Sequence, residues 1–183
     1  MTYLNRFKQL SDEAAESLYN LVKDMINKNT TNILEVGTYA GQITVRLAGA
    51  AAFKSASVRV ISIDDNNDTF SPSAEESLKV SNLFNTSVEF GDLDKKFEEN
   101  IVKANIIYID RFHDQIEAKM ELINKNVIVP TKVIFRNPKN SDDFPFEVSE
   151  VAPEVKPRAR KKTVATEMVT DKTIVKETKK ETT

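Results

Sequence analysis

The sequence predicts an α/β fold in which a parallel sheet of about five strands carries helices on both faces. Short apolar runs rich in β-branched residues alternate with longer amphipathic segments five times along the chain. Two of these runs, NILEV and NIIYID, lack the strict polar alternation of a half-exposed strand. Strands buried on both faces of a parallel sheet have this pattern.

Each element follows from its own local signals. The predicted strands are the apolar runs at residues 32–36, 58–64, 87–90, 105–110 and 131–135. The predicted helices are the amphipathic segments at residues 12–27, 41–54, 73–84, 93–103 and 114–124. Ser11 is placed to cap the first helix and Pro72 to open the third. We therefore expect one domain over residues 1–150.

The charge is distributed unevenly along the chain. Residues 1–150 carry 17 Lys and Arg against 23 Asp and Glu, whereas residues 151–183 carry 9 against 5. An acidic core is a poor surface for nucleic acid, whose binding depends on neutralising phosphates. Residues 151–183 contain no aromatic residue and no glycine, so we expect a disordered charged tail. The basic run at 158–162 suits contact with nucleic acid or with an acidic partner, and equally a solvated charge cluster.

Other function classes are disfavoured by composition. The chain has no cysteine, which excludes disulfides and thiolate metal sites. The first residues do not have the form of a signal peptide, and no apolar run approaches the roughly 20 residues that span a bilayer. We therefore expect a cytoplasmic protein with no membrane association.

The most informative stretch is ILEVGTYAG, in which a predicted strand ends in an acid and two glycines lead into a helix. Gly37 and Gly41 permit a sharp turn and the close approach of a ligand to the backbone, while the helix start offers free N–H groups. A tight turn without a ligand fits the same residues. The dinucleotide fingerprint G-x-G-x-x-G is absent, which disfavours a nicotinamide enzyme.

This E-x-G-x-x-x-G spacing resembles motif I of the class I S-adenosylmethionine (SAM)-dependent methyltransferases. The longer run LEVGTYAGQITVRLA is especially similar to the small O-methyltransferase subgroup. The resemblance covers roughly residues 12–137 and implies a Rossmann-like fold with SAM as cofactor. In that family the glycine loop wraps the methionine part of the cofactor. The resemblance thus implies cofactor-binding roles for the following loop residues: Glu35, Gly37, Thr38, Tyr39 and Gly41.

Two further acids fall at positions that the family uses for the cofactor. Asp64 ends the second predicted strand, where the family places an acid on the ribose hydroxyls. Asp92 follows the third strand, where the family places an acid near the adenine amino group. Each also has a simpler interpretation, because Asp64 would suit a solvated strand end in a run of polar residues and Asp92 is placed to cap the next helix.

The end of the fourth strand supplies the candidate catalytic residues. Asp110 and His113 match the Asp-Gly-x-His pattern of the subgroup, with Arg111 in place of the glycine. Either could take a proton from a methyl acceptor, although His113 would also suit an exposed first turn of a helix. Arg111 and Arg136 would bind an anionic acceptor or pair with nearby acids.

The chain also departs from the family. Metal-dependent members hold magnesium with an acid after the fifth strand, where this chain has Arg136, so we expect no metal. After Asn137 too few residues precede the tail for two full strands, which predicts a truncated methyltransferase fold. Residues 144–148 would form one short strand or pack on the sheet edge. Two functions stay open: a methyltransferase with an unknown acceptor, or a catalytically inactive methyltransferase-like protein whose tail engages a partner.

Overall fold

The computed structural model describes residues 10–38, 41–65, 76–79, 81, 83–110, 115–137, 140 and 144–153. Four helices have continuous bounds, in chain order α1 (Asp12–Met25), α2 (Gln42–Lys54), α3 (Leu93–Ile101) and α4 (Ile116–Asn126). The strands are β1 (Asn32–Val36), β2 (Arg59–Asp64), β3 (Thr86–Phe90), β4 (Ile106–Ile109), β5 (Thr131–Arg136) and β6 (Phe146–Val151). Residues 76–79 and 81 are also helical, within the third predicted helix.

The strands form one sheet in the order β3-β2-β1-β4-β5-β6. The first five strands are parallel, which confirms the predicted sheet, and β6 pairs with β5 in the antiparallel direction. In the order of this sheet, β1 and β4 are neighbours in space although they are far apart in sequence. The carboxyl ends of β1 to β5 therefore meet at one side of the sheet, which we call the carboxyl edge.

Helices cover both faces of the sheet, and each face has its own apolar core. The core under α1 and α2 includes Leu18, Leu47 and Tyr108, all fully buried. The opposite core, under α3 and α4, includes Phe97 and Ile123, also fully buried. This two-sided burial explains why the central strand β4 is apolar throughout, since neither face of the sheet is left to water there.

Helix α1 shows how local sequence signals fix an element. The hydroxyl of Ser11 accepts a hydrogen bond from the Ala14 amide at 3.1 Å, as the cap prediction requires. The helix then buries the stripe of Ala14, Leu18, Val22 and Met25, spaced three or four residues apart. Within the described ranges, no helix has the length and apolar character needed to cross a membrane.

Strand β6 is the short strand that the sequence left as one of two alternatives. Its Phe146 is buried and packs edge-to-face on Tyr108, with ring centroids 6.2 Å apart. The half-buried Lys132 and the exposed Glu150 pair across β5 and β6 at 3.4 Å. The strand ends at Val151, one residue beyond the predicted boundary of the domain.

Replacing Phe146 by alanine tests whether β6 belongs to the folded core. We expect Phe146→Ala to lower the free energy of unfolding by about 3 kcal/mol, because a buried aromatic ring leaves a cavity. The matched control is Phe84→Ala, since Phe84 is 89% exposed and should change stability by less than about 0.5 kcal/mol. Urea denaturation measures both, and equal effects would show that β6 does not pack as described.

Candidate functional site

The glycine loop joins β1 to α2 at the carboxyl edge, and both of its glycines have positive φ. Gly37 has φ 105° and Gly41 has φ 80°, conformations that L side chains rarely adopt. The Gly37 amide donates to the Ile63 carbonyl at 2.9 Å, which ties the start of the loop to β2. Gly41 is the N-cap of α2 and has no side chain to cover the first amides of that helix. The backbone thus takes the form that the motif predicted.

Glu35 lies at the carboxyl end of β1 and is completely buried. Burial above all, together with the nearby Asp110 and Asp64, raises the pKa of its carboxyl to about 8. The hydroxyls of Ser62 and Thr44 lie close enough to lower this pKa in part. Even so, neither carboxyl oxygen makes a hydrogen bond of normal geometry to a described residue. A buried acid in this state is suited to a cationic or hydrogen-bonding ligand.

Three buried hydroxyls lie beside Glu35, and we call Thr38, Thr44 and Ser62 the hydroxyl cluster. The oxygens of Thr38 and Ser62 are 2.6 Å apart, and those of Thr44 and Ser62 are 3.5 Å apart. Each side chain comes from a different element: the glycine loop, the first turn of α2, and β2. The cluster therefore joins these three elements around the buried acid.

Asp64 is fully buried at the end of β2, and one of its oxygens accepts the Asp65 amide at 2.9 Å. Its burial shows that it is not the solvated strand end that was the simpler interpretation. Asp110 follows β4 and is also buried, at 4.0 Å from a guanidinium nitrogen of Arg136. In the described part of the chain, no three acids or histidines are grouped so that they could hold a metal ion.

Asp92 is exposed, and its carboxylate accepts a hydrogen bond from the Lys95 amide at 3.1 Å. It is the N-cap of α3, as the simpler interpretation predicted. Its role toward adenine stays a prediction. Tyr39, Arg111 and His113 lie outside the described residues, so their predicted roles also stay predictions.

A cavity of about 600 Å3 lies elsewhere, between α1, the outer side of α2 and the helical residues 76–79 and 81. Its described walls include Leu10, Ala15, Ile43 and Arg46, and none of the candidate site residues lines it. We assign it no role in the site.

Sequence reasoning missed Ser62 and Thr44. A polar residue inside the apolar run VISID was the available signal, because serine is uncommon at a fully buried strand position. Its significance depends on the pairing of β1 with β2, which places Ser62 directly beside Glu35. The sequence alone does not show that register.

Comparison with solved structures identifies the fold. An O-methyltransferase of Streptomyces achromogenes involved in tomaymycin synthesis, solved with SAM, matches 74% of this chain and 64% of its own length, at 17% identity and a TM-score of 0.59. An O-methyltransferase of Bacillus cereus, solved with S-adenosylhomocysteine (SAH), matches 74% of this chain and 65% of its own length, at 21% identity and a TM-score of 0.59. The SAH-bound methyltransferase PaMTH1 of Podospora anserina matches 72% of this chain and 57% of its own length, at 12% identity and a TM-score of 0.60.

The chain has a class I O-methyltransferase-like fold. This confirms the family resemblance that the glycine loop predicted, at the level of the fold. The chain spans less than two thirds of the length of these enzymes. No family model and no curated protein matches the sequence.

Replacing Glu35 by glutamine tests whether the buried carboxyl holds its proton in the folded protein. The unfolded chain releases this proton near pH 4.5, whereas the folded chain holds it to about pH 8. The wild-type free energy of unfolding should therefore fall as pH rises through this window, by up to about 1.4 kcal/mol per pH unit. Glu35→Gln should remove this loss and be more stable than wild type at pH 8.

Urea denaturation from pH 5 to pH 9 measures the difference. The control is Glu117→Gln, because Glu117 is exposed on α4 and its variant should follow the wild-type curve. A Glu35→Gln curve parallel to wild type would show that the buried carboxyl titrates normally.

Proposed function

We propose that this protein is a SAM-dependent methyltransferase acting on an unidentified acceptor. The observation that carries the proposal is Glu35, a fully buried acid with no hydrogen-bond partner among the described residues, beside a glycine loop at the carboxyl edge. Ligands of open α/β sheets bind at the carboxyl ends of the strands. The solved structures of the same fold that contain SAM or SAH support the same cofactor.

The charges at the carboxyl edge favour a cationic ligand. Glu35, Asp64 and Asp110 are buried there on adjacent strands, and Arg136 is the cation beside Asp110. SAM carries a sulfonium and an ammonium group against one carboxylate, so its net charge is positive. Buried acids are stabilised by an opposite charge within a few ångströms, and a cationic ligand supplies it.

Each candidate residue has a distinct role in the proposed complex. Glu35 accepts hydrogen bonds from the ammonium group, and the amides near Gly37 and Gly41 contact the methionine part. Asp64 holds the ribose hydroxyls, since a carboxylate accepts two such bonds. In the proposal, Thr38 and Tyr39 line the loop, and Asp92 lies near adenine.

Bound SAM supplies an electrophilic methyl group on its sulfur. The protein contributes mainly position, by holding cofactor and acceptor in line, which accounts for a large share of the rate in such reactions. Asp110 and His113 are the proposed residues that take the proton from the acceptor.

A second function is favoured by one observation. Arg136 lies 4.0 Å from Asp110 and neutralises the proposed base, which suits a catalytically inactive, methyltransferase-like protein whose basic tail engages a protein partner.

Incubation with SAM carrying a labelled methyl group, and with small hydroxyl and amine compounds, separates the enzyme from the inactive protein. Methyl transfer supports the enzyme, and SAM binding with no transfer supports the inactive protein.

Isothermal titration with SAM and SAH tests the cofactor site. We expect saturable binding by the wild type and none by Gly37→Ala, because a residue with a Cβ cannot adopt φ 105° without strain that reshapes the loop. The matched control is Gly49→Ala within α2, where the new Cβ would meet the Tyr19 ring at an ordinary 3.7 Å. It should bind as the wild type does. No binding by the wild type at millimolar SAM would end the proposal.

Magnesium should be without effect on the wild type. The guanidinium of Arg136 opposes a divalent cation beside Asp110, and hard cations prefer several oxygen ligands. Neither magnesium nor a chelator should change the melting temperature or SAM affinity. Arg136→Asp should gain a magnesium-dependent rise in melting temperature, whereas Arg59→Asp, at an exposed residue, should not. A magnesium response of the wild type would contradict the metal-free site.

A further inference from the structure

The hydroxyl cluster lies between the buried acid and the glycine loop. Ser62 on β2 is the Cα partner of Glu35 on β1, so the two side chains leave the sheet side by side on the same face. The Ser62 hydroxyl is also 2.6 Å from that of Thr38 in the loop. Ser62 and Thr38 are 0% and 1% exposed, so bulk solvent does not reach them.

The hydroxyl cluster and Glu35 have few protons to donate, and this limits the hydrogen bonds that they can form with one another. A hydroxyl donates one hydrogen bond and accepts up to two. A neutral Glu35 can donate its own proton, whereas an ionised Glu35 only accepts. Once Glu35 is ionised, the Ser62 proton is best directed at the carboxylate, and the Thr38 proton at Ser62. The direction of the chain of hydrogen bonds thus follows the charge of Glu35.

The other groups around Glu35 oppose its ionisation. Asp64 on β2 and Asp110 after β4 both raise its pKa, and the Arg136 cation on β5 lies against Asp110. On the α2 side the facing group is the Thr44 hydroxyl, 3.5 Å from Ser62. The groups that favour the charged form are therefore the hydroxyls and a cationic ligand.

We propose that Ser62 is a positioning residue, whose hydroxyl links Glu35 to Thr38 and so holds the glycine loop in its binding conformation when Glu35 pairs with a cationic ligand. This inference rests on the proposed function. Ser62 itself touches neither cofactor nor acceptor, and it acts through the loop and the acid. The cluster couples the charge of one buried carboxyl to the backbone that receives the ligand.

The test measures SAM affinity from pH 6 to pH 9 by isothermal titration. Wild-type affinity should rise with pH and level off near pH 8, because the ammonium binds the ionised form of Glu35. Ser62→Ala removes the hydroxyl that would donate to the carboxylate once Glu35 is ionised. It should move the levelling point up by about one pH unit and weaken binding at pH 7.5 by about tenfold.

Thr38→Val and Thr131→Val are matched variants, because each removes one buried hydroxyl and keeps the side-chain shape. Thr131 bonds the Ala104 carbonyl at 2.7 Å at the opposite end of the sheet. Thr131→Val should lower stability alone and leave the pH profile unchanged, whereas Thr38→Val should weaken binding. The double variant Ser62→Ala/Thr38→Val should bind SAM no more weakly than Ser62→Ala alone. Each substitution interrupts the same chain of hydrogen bonds, so their effects should not add.

The outcomes separate this inference from the proposed function. If the wild type binds neither SAM nor SAH, the proposed function fails and the inference fails with it. If the wild type binds SAM but Ser62→Ala keeps the wild-type pH profile, or the two substitutions have additive effects, the positioning role is overturned and the proposed function stands. The pH dependence of unfolding supplies a readout without ligand, in which Ser62→Ala should extend the loss of stability to higher pH. Ser62→Thr, which keeps the hydroxyl, should restore the wild-type profile.

Discussion

The buried carboxyl of Glu35 is the constraint on which the arrangement of the site depends. A fully buried acid with acidic neighbours is costly to ionise, and the fold tolerates it by holding the proton. The carboxyl end of β1 is also where the chain must turn into α2, so the same position combines an electrostatic cost with a backbone of positive φ. The buried acid lowers stability when it ionises, whereas the glycines adopt positive φ without strain.

The fold was largely predictable because its signals are local. The strand at residues 32–36 and the start of α1 after Ser11 follow from apolar runs and from a capping hydroxyl, and the structure places both as predicted. The direction of β6 was not predictable, since pairing with β5 is a long-range choice. Proline and acidic residues near Phe146 obscured the apolar pattern that would have marked a strand.

The candidate site was predictable only in part. Glu35, Gly37 and Gly41 form a recognisable motif, because an acid and two turn-forming glycines occur within one short segment. Ser62 belongs to no motif, because its importance comes from its pairing with Glu35 on the neighbouring strand. Asp92 shows that an acid in a suitable motif position can also cap a helix, so its role toward adenine stays a prediction. The role of a residue that acts through contacts between strands can be inferred only after the order of the strands in the sheet is known.

The reversed direction of β6 determines where the remainder of the chain emerges. Arg136 faces Phe146 at one end of the β5–β6 pair and Thr131 faces Val151 at the other, so the backbone travels back along the full length of β5. At roughly 3.3 Å per residue this return covers about 17 Å. The last described residues, 152 and 153, thus lie at the end of the sheet opposite the glycine loop. A small molecule at the loop would be separated from them by the length of a strand.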